Sequence, residues 1–354
     1  MPGTEAGYDG GMTVSKARRI ILASRPVGEP KDSDFRLEEF AVPQAEPGEM
    51  LLHTRWLSLD PYMRGRMSDA PSYAKPVGIG EVMEGGTVSE VVDSKLDGFA
   101  KGDFLVGRTG WQTHAVSNGK GLRKIDPRSA PISMALGVLG MPGMTAYVGL
   151  LEIGKPQPGE TVAVAAASGA VGAVVGQIAK IKGARAVGIA GGPDKCRYVV
   201  EELDFDDCID HRAPDLAERL KAACPKGVDV YFENVSGPVF EAVFPLFNSF
   251  ARMPVCGLIS QYNAISGQQS SLTVAQLMRA TLTKRLTIRG FIVTDFAPKE
   301  ADFLRDVSAW VREGRIKYRE HIIEGLENAP RGLMGLLRGE NFGKAVVRVA
   351  ADGS

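Results

Sequence analysis

The sequence predicts an α/β protein in which a doubly wound parallel sheet follows a β-rich front portion. Three observations predict it. Residues 161–190 read strand, glycine turn, helix, strand. From about residue 134 onward, short apolar runs alternate with helical periodicity, the pattern of strands laid side by side through crossover helices. From 15 to 137 the signals are short strands and tight turns instead. At 354 residues the chain is too long for one compact core and calls for two domains.

In the front portion, Ile20, Ile21 and Leu22, then 50–53 and 86–92, are short and β-prone. Pro47-Gly48 and Gly102-Asp103 punctuate them. Further on, strands are expected at 161–167, 184–190, 207–209, 228–233, 251–257 and 286–293. Helices are expected at 171–182, 194–203, 214–223 and 238–247. Six strands with intervening helices make the doubly wound sheet. Amphipathic helices follow near 300–313 and 326–338, and KAVVRV at 344–349 reads as a last strand returning to the first domain. The expected division is 1–14 as a disordered lead, 15–136 with 306–351 as the substrate domain, and 137–305 as the dinucleotide domain. The lead MPGTEAGYDGGM lacks an apolar core and does not read as a signal peptide; Met12 is an alternative start.

The segment 161–195 carries the most chemistry. After the apolar run 161–167, Ser168, Gly169, Ala170, Val171 and Gly172 form the turn. Val171, Val174, Val175, Ile178 and Ala179 then recur at helical spacing, and Gly183 stands where that helix would stop. Such a turn brings bare N–H groups and the positive helix end up to a pyrophosphate. The turn departs from a strict G-x-G-x-x-G, so the strands on either side carry the reading. Residues 161–179 bear no charge and nearly reach bilayer length, but three glycines, Ser168 and Gln177 interrupt them.

The end of the second strand selects the cofactor. An NAD site places Asp or Glu there for the ribose 2′-hydroxyl. This chain has Gly191-Gly192, then Pro193, Lys195 and Arg197 in the first turns of a helix. Cations there oppose the helix dipole unless a 2′-phosphate binds, which points to NADPH/NADP+. The alternative is a solvated Lys195 offset by Asp194.

The 42 basic and 42 acidic residues leave no net charge, which argues against a broad surface for nucleic acid or anionic membrane. Four cysteines without a C-x-x-C pair read as thiols of a reducing, cytoplasmic compartment. The four histidines and four cysteines show no zinc-ligand spacing, so no metal is expected.

Several motifs narrow the reading. Residues 57–67 read LSLDPYMRGRM, 140–147 GMPGMTAY, 233–237 ENVSG, 256–263 CGLISQYN, 290–293 GFIV and 339–347 GENFGKAVV. Together they resemble the zinc-independent medium-chain dehydrogenase/reductases. Within these they are similar to the alkenal/one reductases, which include prostaglandin reductases, plant double-bond reductases and bacterial curcumin reductases. The resemblance to the bacterial curcumin reductases runs from about Ser15 onward. It implies a GroES-like β-rich catalytic domain beside a Rossmann domain, and NADPH-dependent reduction of the C=C bond of α,β-unsaturated ketones and aldehydes. By position it assigns 169–172 to the pyrophosphate and Lys195 to the 2′-phosphate. Asn234 and Asn341 fall to the nicotinamide-side ribose or phosphate. Cys256, Gly257, Ile259 and Ser260, with Phe291 and Val293, frame the nicotinamide, and Thr145 lies nearby. Two departures stand out. His211-Arg212 replaces the usual Tyr-Lys near the adenine, where His211 can still stack and bond the phosphate. Ser236 replaces a glycine beside Asn234.

Hydride addition to an enone leaves an enolate oxygen, which needs a placed donor. Tyr262 is the first candidate, because 256–263 runs off a strand end toward the cofactor; its phenol is neutral at physiological pH. Tyr62 in the DPYMRGRM segment is the second, and Tyr73 and Met63 are candidate pocket residues. The alternatives for both tyrosines are packing roles. A quinone reductase of the same superfamily, or a non-catalytic NADPH-binding protein, would share the same motifs. Residues 286–293, LTIRGFIV, are expected last in the sheet, where an apolar edge invites a two-fold partner and a homodimer.

Overall fold

The structure, a computed structural model, describes residues 16–264 and 271–351. The proposed lead falls outside the described residues. Strands β1 (Lys16–Leu22) and β2 (Phe35–Ala41) form an antiparallel pair. The front sheet holds β3 (Met50–Ser58), β4 (Thr87–Ser94), β5 (Phe104–Gly107), β6 (His114–Ser117) and β7 (Arg123–Ile125). The short helix α1 (Tyr62–Arg66) leaves the end of β3. Its residues Met63 and Met67 are fully buried.

The second sheet is parallel throughout. It contains β8 (Thr161–Ala165), β9 (Arg185–Ala190), β10 (Asp207–Asp210), β11 (Val228–Phe232), β12 (Phe247–Val255) and β13 (Thr287–Gly290). Their spatial order is β10-β9-β8-β11-β12-β13. All five residues of β8 are buried, as a central strand covered on both faces requires. Helices α2 (Met141–Val148), α3 (Gly172–Ile181), α4 (Pro193–Glu201), α5 (Leu216–Ala223), α6 (Pro238–Val243), α7 (Val274–Lys284) and α8 (Glu300–Arg312) accompany these strands. Gly183 ends the α3 turn at φ +78°, the left-handed position its sequence context predicts.

The tail then leaves this sheet. Strands β14 (Glu320–Glu324) and β15 (Lys344–Arg348), with α9 (Ala329–Leu337) between them, complete the front sheet; β15 pairs antiparallel with β3. The outer helix expected at 238–247 is shorter than predicted, and β12 starts four residues earlier, at Phe247 rather than 251. Pro245 has no N–H to continue the α-helical ladder, so the α-helix stops at Val243 and one tighter turn, Phe244–Leu246, leads into β12. No helix among the described residues is long and apolar enough to cross a membrane.

Candidate functional site

The order of the parallel sheet reverses between β8 and β11, and their C-terminal ends open into a cavity of about 550 Å³. A crevice at such a switch point is where doubly wound sheets receive ligands. The tail closes the other side: Gly343 forms a bridge to Gly169 in the turn after β8.

That turn is built without side chains where backbone must be bare. A Cβ on Gly172 would lie 2.3 Å from the Ala166 carbonyl oxygen, and one on Gly169 3.2 Å from it. Ala166 itself takes a left-handed φ of +52° at the strand end. Ser168, Gly169, Ala170, Val171 and Gly172 all line the cavity, with the start of α3 beneath them. This is an anion cradle of backbone amides and helix dipole.

At the end of β9, Gly192 (φ +97°) turns the chain and Pro193 opens α4. Three basic side chains converge there. The Lys195 ammonium donates to the Gly339 carbonyl at 2.6 Å, drawing the tail onto this corner. Burial, and then the Arg212 charge, lower the pKa of both Lys195 and His211. A Cβ on Gly191 would stand 2.9 Å from His211 Nε2 and 3.4 Å from Arg212 Nε, so a larger residue there would push these two side chains aside. The nearby Asp210 carboxylate is occupied, accepting from the Gly192 and Arg212 amides at 2.9 and 3.0 Å. The Lys195 and Arg212 cations, with the His211 ring beside them at the end of β9, suit an anion and suit a bare ribose hydroxyl less well.

The opposite end is formed by β11, β12 and the loops after them. The buried Glu233 carboxylate accepts from the Val235 and Ser236 amides at 2.6 and 2.8 Å, shaping the turn that carries Asn234. Burial raises its pKa. Ser236 keeps the left-handed conformation, φ +72°, so the turn survives the departure from glycine at a cost of about 1 kcal/mol. Asn234 donates to the Ala165 carbonyl at 2.8 Å, tying β11 to β8 across the switch point. Asn341, from the tail, donates to the Gly343 carbonyl at 2.7 Å and faces the same cavity. Cys256 follows β12; burial pushes its thiol up to about 12, which keeps it protonated. Gly257, Ile259 and Ser260 line the wall beyond it, with Phe291, Val293 and Thr145 across from them.

Tyr262 lies at the end of this loop. Its phenol oxygen accepts from the Leu258 amide at 3.3 Å, leaving its proton free to donate into the cavity. Burial raises its pKa further, so it stays neutral and a donor. A Cβ on Gly257 would come within 3.2 Å of this hydroxyl. Tyr62, on α1, also lines the cavity, and burial, then Asp60, raise its pKa. The Arg66 guanidinium packs 5.6 Å from the Tyr62 ring and 4.5 Å from the Tyr73 ring, and pairs with Glu84 at 2.6 Å. Arg64 donates to the Gly28 carbonyl at 2.7 Å and to Asn263 Oδ1 at 3.2 Å, joining α1 to the residue next to Tyr262.

Every residue singled out from the sequence for cofactor or catalysis except Arg197 therefore borders one cavity, while Arg197 pairs with Asp194 at 3.2 Å on the exposed side of α4. Met63 is the correction: it is fully buried in the core with Leu57 and Leu59, not in the cavity wall. Helix geometry turns neighbours about 100° apart, so Met63 cannot share the face of Tyr62 and Arg66. The sequence reading missed Arg108 and the 336–338 segment of the tail, which also line the cavity. No motif marks them; the returning tail brings 336–338 there, and the turn after β5 brings Arg108.

Two family descriptions match the chain. Residues 18–125 match the N-terminal domain of oxidoreductase, and 170–310 match a family described as zinc-binding dehydrogenase. Among the described residues no three His, Cys, Asp or Glu side chains gather to hold a metal, so these residues do not fit the zinc that the second description names. The chain is 54% identical to the NADPH-dependent curcumin reductase of Escherichia coli (strain K12), over 97% of this chain and 99% of that one. It is 42% identical to prostaglandin reductase 1 of Bos taurus, over 94% of this chain and 99% of that one. The crystal structure of CurA from Vibrio vulnificus in complex with NADPH matches with a TM-score of 0.92 and 52% identity, covering 95% of this chain and 100% of that one. Sequence, fold and site geometry thus converge: the chain belongs to the medium-chain dehydrogenase/reductases, in the family of the curcumin and prostaglandin reductases.

Proposed function

We propose that this protein reduces the C=C bond of α,β-unsaturated ketones and aldehydes with NADPH. The observation that carries the reading is the Tyr262 phenol. It faces the cavity that holds the glycine turn, and its oxygen is already held by the Leu258 amide. When bound, NADPH supplies a hydride for the β-carbon of the enone. The protein's own residues bind, orient and stabilise. The amides of 169–172 receive the pyrophosphate, and Lys195, His211 and Arg212 receive the 2′-phosphate. Asn234 and Asn341 hold the nicotinamide-side ribose or phosphate. Tyr262 donates to the substrate carbonyl and stabilises the enolate as charge grows on that oxygen. Tyr62 lines the substrate end. Curcumin-like diaryl enones and alkenals are the substrate classes the relatives' names suggest.

Four further readings accompany this one. The enzyme works without zinc, so a chelator leaves activity intact. The division is a catalytic domain of 15–136 with 306–351, and a Rossmann domain of 137–305. The protein is cytoplasmic. It is a homodimer joined at β13, which stands last in its sheet. Beside that edge, Val274, Met278 and Leu282 recur every four residues on α7 and are exposed, as is Phe250. A second copy would cover this apolar stripe.

The direct test replaces the two phenols one at a time. Tyr262→Phe lowers kcat on an enone while NADPH affinity holds. Loss of turnover in Tyr62→Phe alone, with Tyr262→Phe active as wild type, would reverse the assignment.

A further inference from the structure

We propose that Arg64 is a positioning residue for the reaction: through Asn263 it holds the loop that carries Tyr262 against the short helix that carries Tyr62, so that the two walls of the substrate end keep one spacing. The proposal rests on the reading of Tyr262 as donor to the substrate carbonyl and deepens it. Arg64 is 7% exposed, and its guanidinium is answered by neutral oxygens. Its Nη2 donates to the Gly28 carbonyl at 2.7 Å and to the Pro26 carbonyl at 3.4 Å. Its Nε–H is shared between the Gly28 carbonyl and Asn263 Oδ1, each at 3.2 Å. The Asp34 carboxylate, whose charge it feels, is taken by the Ser24 hydroxyl and the Lys31 amide at 2.7 and 2.8 Å. Burying a cation is expensive unless its donors are received. The planar fork of a guanidinium serves separate oxygens at once, here in the 26–28 loop and beside Tyr262.

The loop after β12 is fastened at its inner half by the turn after β11. The Ile259 amide donates to the Asn234 carbonyl at 3.1 Å. The Ser260 amide and hydroxyl both donate to the Val235 carbonyl, at 3.1 and 2.6 Å. At Tyr262 the backbone bonds become local: its amide donates to the Ile259 carbonyl at 3.3 Å, and the Ala264 amide to the Gln261 carbonyl at 3.1 Å. Both bonds lie within the loop itself. Arg64 supplies a tie from outside it, at the residue next to Tyr262. The base of that tie is firm, because Met63 and Met67 root α1 in the core while Tyr62 faces the cavity. A hydrogen bond that must meet growing charge depends on placement within about 0.5 Å. A loop held at its inner half alone would let the phenol wander from the substrate carbonyl more than from the cofactor, which the inner half contacts.

The experiment measures kcat on (E)-4-phenylbut-3-en-2-one at saturating NADPH, NADPH affinity by titration, and thermal melting. The variants are Asn263→Ala, Asn263→Asp, Arg64→Gln and Tyr262→Phe, with Asn263→Ala also combined with each of the last two. Asn263→Ala lowers kcat about three- to tenfold, the scale of one modest hydrogen bond. Cofactor affinity and melting temperature stay unchanged, because Arg64 keeps its Gly28 and Pro26 carbonyls. Asn263→Asp still presents an oxygen to the guanidinium and holds kcat near wild type. Asn263→Ala adds no further loss to Tyr262→Phe or to Arg64→Gln, the non-additivity of residues that act as one unit. Should Arg64→Gln fail to fold, the Asn263 variants decide alone. Wild-type kcat in Asn263→Ala, with Tyr262→Phe slow, overturns the positioning and leaves the donor role standing. A full multiplicative loss in the Tyr262→Phe background, or Asn263→Asp as slow as Asn263→Ala, also overturns it. Tyr262→Phe as fast as wild type strikes the donor reading itself, and the positioning falls with it.

Discussion

Tyr262 and Tyr62 border one cavity from different parts of the chain, and their surroundings separate their roles. The Tyr262 oxygen is held by a backbone amide, so its proton has a defined direction. Charge builds on the substrate oxygen as hydride arrives, so this hydrogen bond strengthens along the reaction and raises kcat. Removal of one oxyanion donor costs about 10²–10³ in kcat in a well-studied protease. The present site is more open, and we expect Tyr262→Phe to lose roughly tenfold or more in kcat at unchanged cofactor affinity, read by steady-state kinetics and NADPH titration. Lys195→Ala should raise KM for NADPH and leave NADH nearly unaffected; an equal loss with both cofactors would remove the 2′-phosphate role. These residues were legible in the sequence because each sits in a motif or at a strand end. Met63 was misread because a motif gives neighbours without giving their faces. Arg108 was invisible because nothing local marks the turn after β5 as bordering a cavity whose other walls are distant in sequence.

At the scale of elements, alternating strands and helices were legible almost everywhere in the parallel sheet. The strand carrying the turn, the helix after it and the edge position of β13 all follow from short apolar runs and punctuation. The boundary between α6 and β12 was not, because Pro245 and the left-handed Phe250 (φ +66°) interrupt both periodicities. Packing of α3 onto the sheet makes one element-scale prediction. A Cβ on Gly176 would meet the Phe205 ring at 1.8 Å, inside a core with no slack. Gly176→Ala should therefore destabilise the protein by about 1–3 kcal/mol, the usual range for overpacking. Thermal melting of the cofactor-free protein checks this, and an unchanged melting temperature would show that Phe205 moves away at no cost.

For the whole molecule, acid stability follows from a pair of rings far from the chemistry. His53 and His114 face each other across β3 and β6 with ring centroids 4.5 Å apart. Burial, then the His114 charge, depress the His53 pKa to about 4, and burial depresses His114 as well. An unfolded histidine titrates near 6.5, so below that pH the unfolded chain binds protons that the folded chain refuses. Stability contributed by neutral His53 is therefore full above about pH 6.5 and is lost as pH falls toward 4. We expect a loss on the order of 1–3 kcal/mol across that window. Melting temperature against pH should flatten there in His53→Gln; a parallel curve would place the acid sensitivity elsewhere. The edge strand β13 and the apolar stripe of α7 set the second whole-molecule expectation, a dimer by sedimentation at micromolar concentration.

The central claim is that hydride reaches the β-carbon of an enone. The measurement is reduction of (E)-4-phenylbut-3-en-2-one with NADPH deuterated at both C4 positions, followed by mass and NMR analysis of the product. The account predicts 4-phenylbutan-2-one with one deuterium on the carbon bearing the phenyl ring. An allylic alcohol with deuterium on the former carbonyl carbon would contradict it.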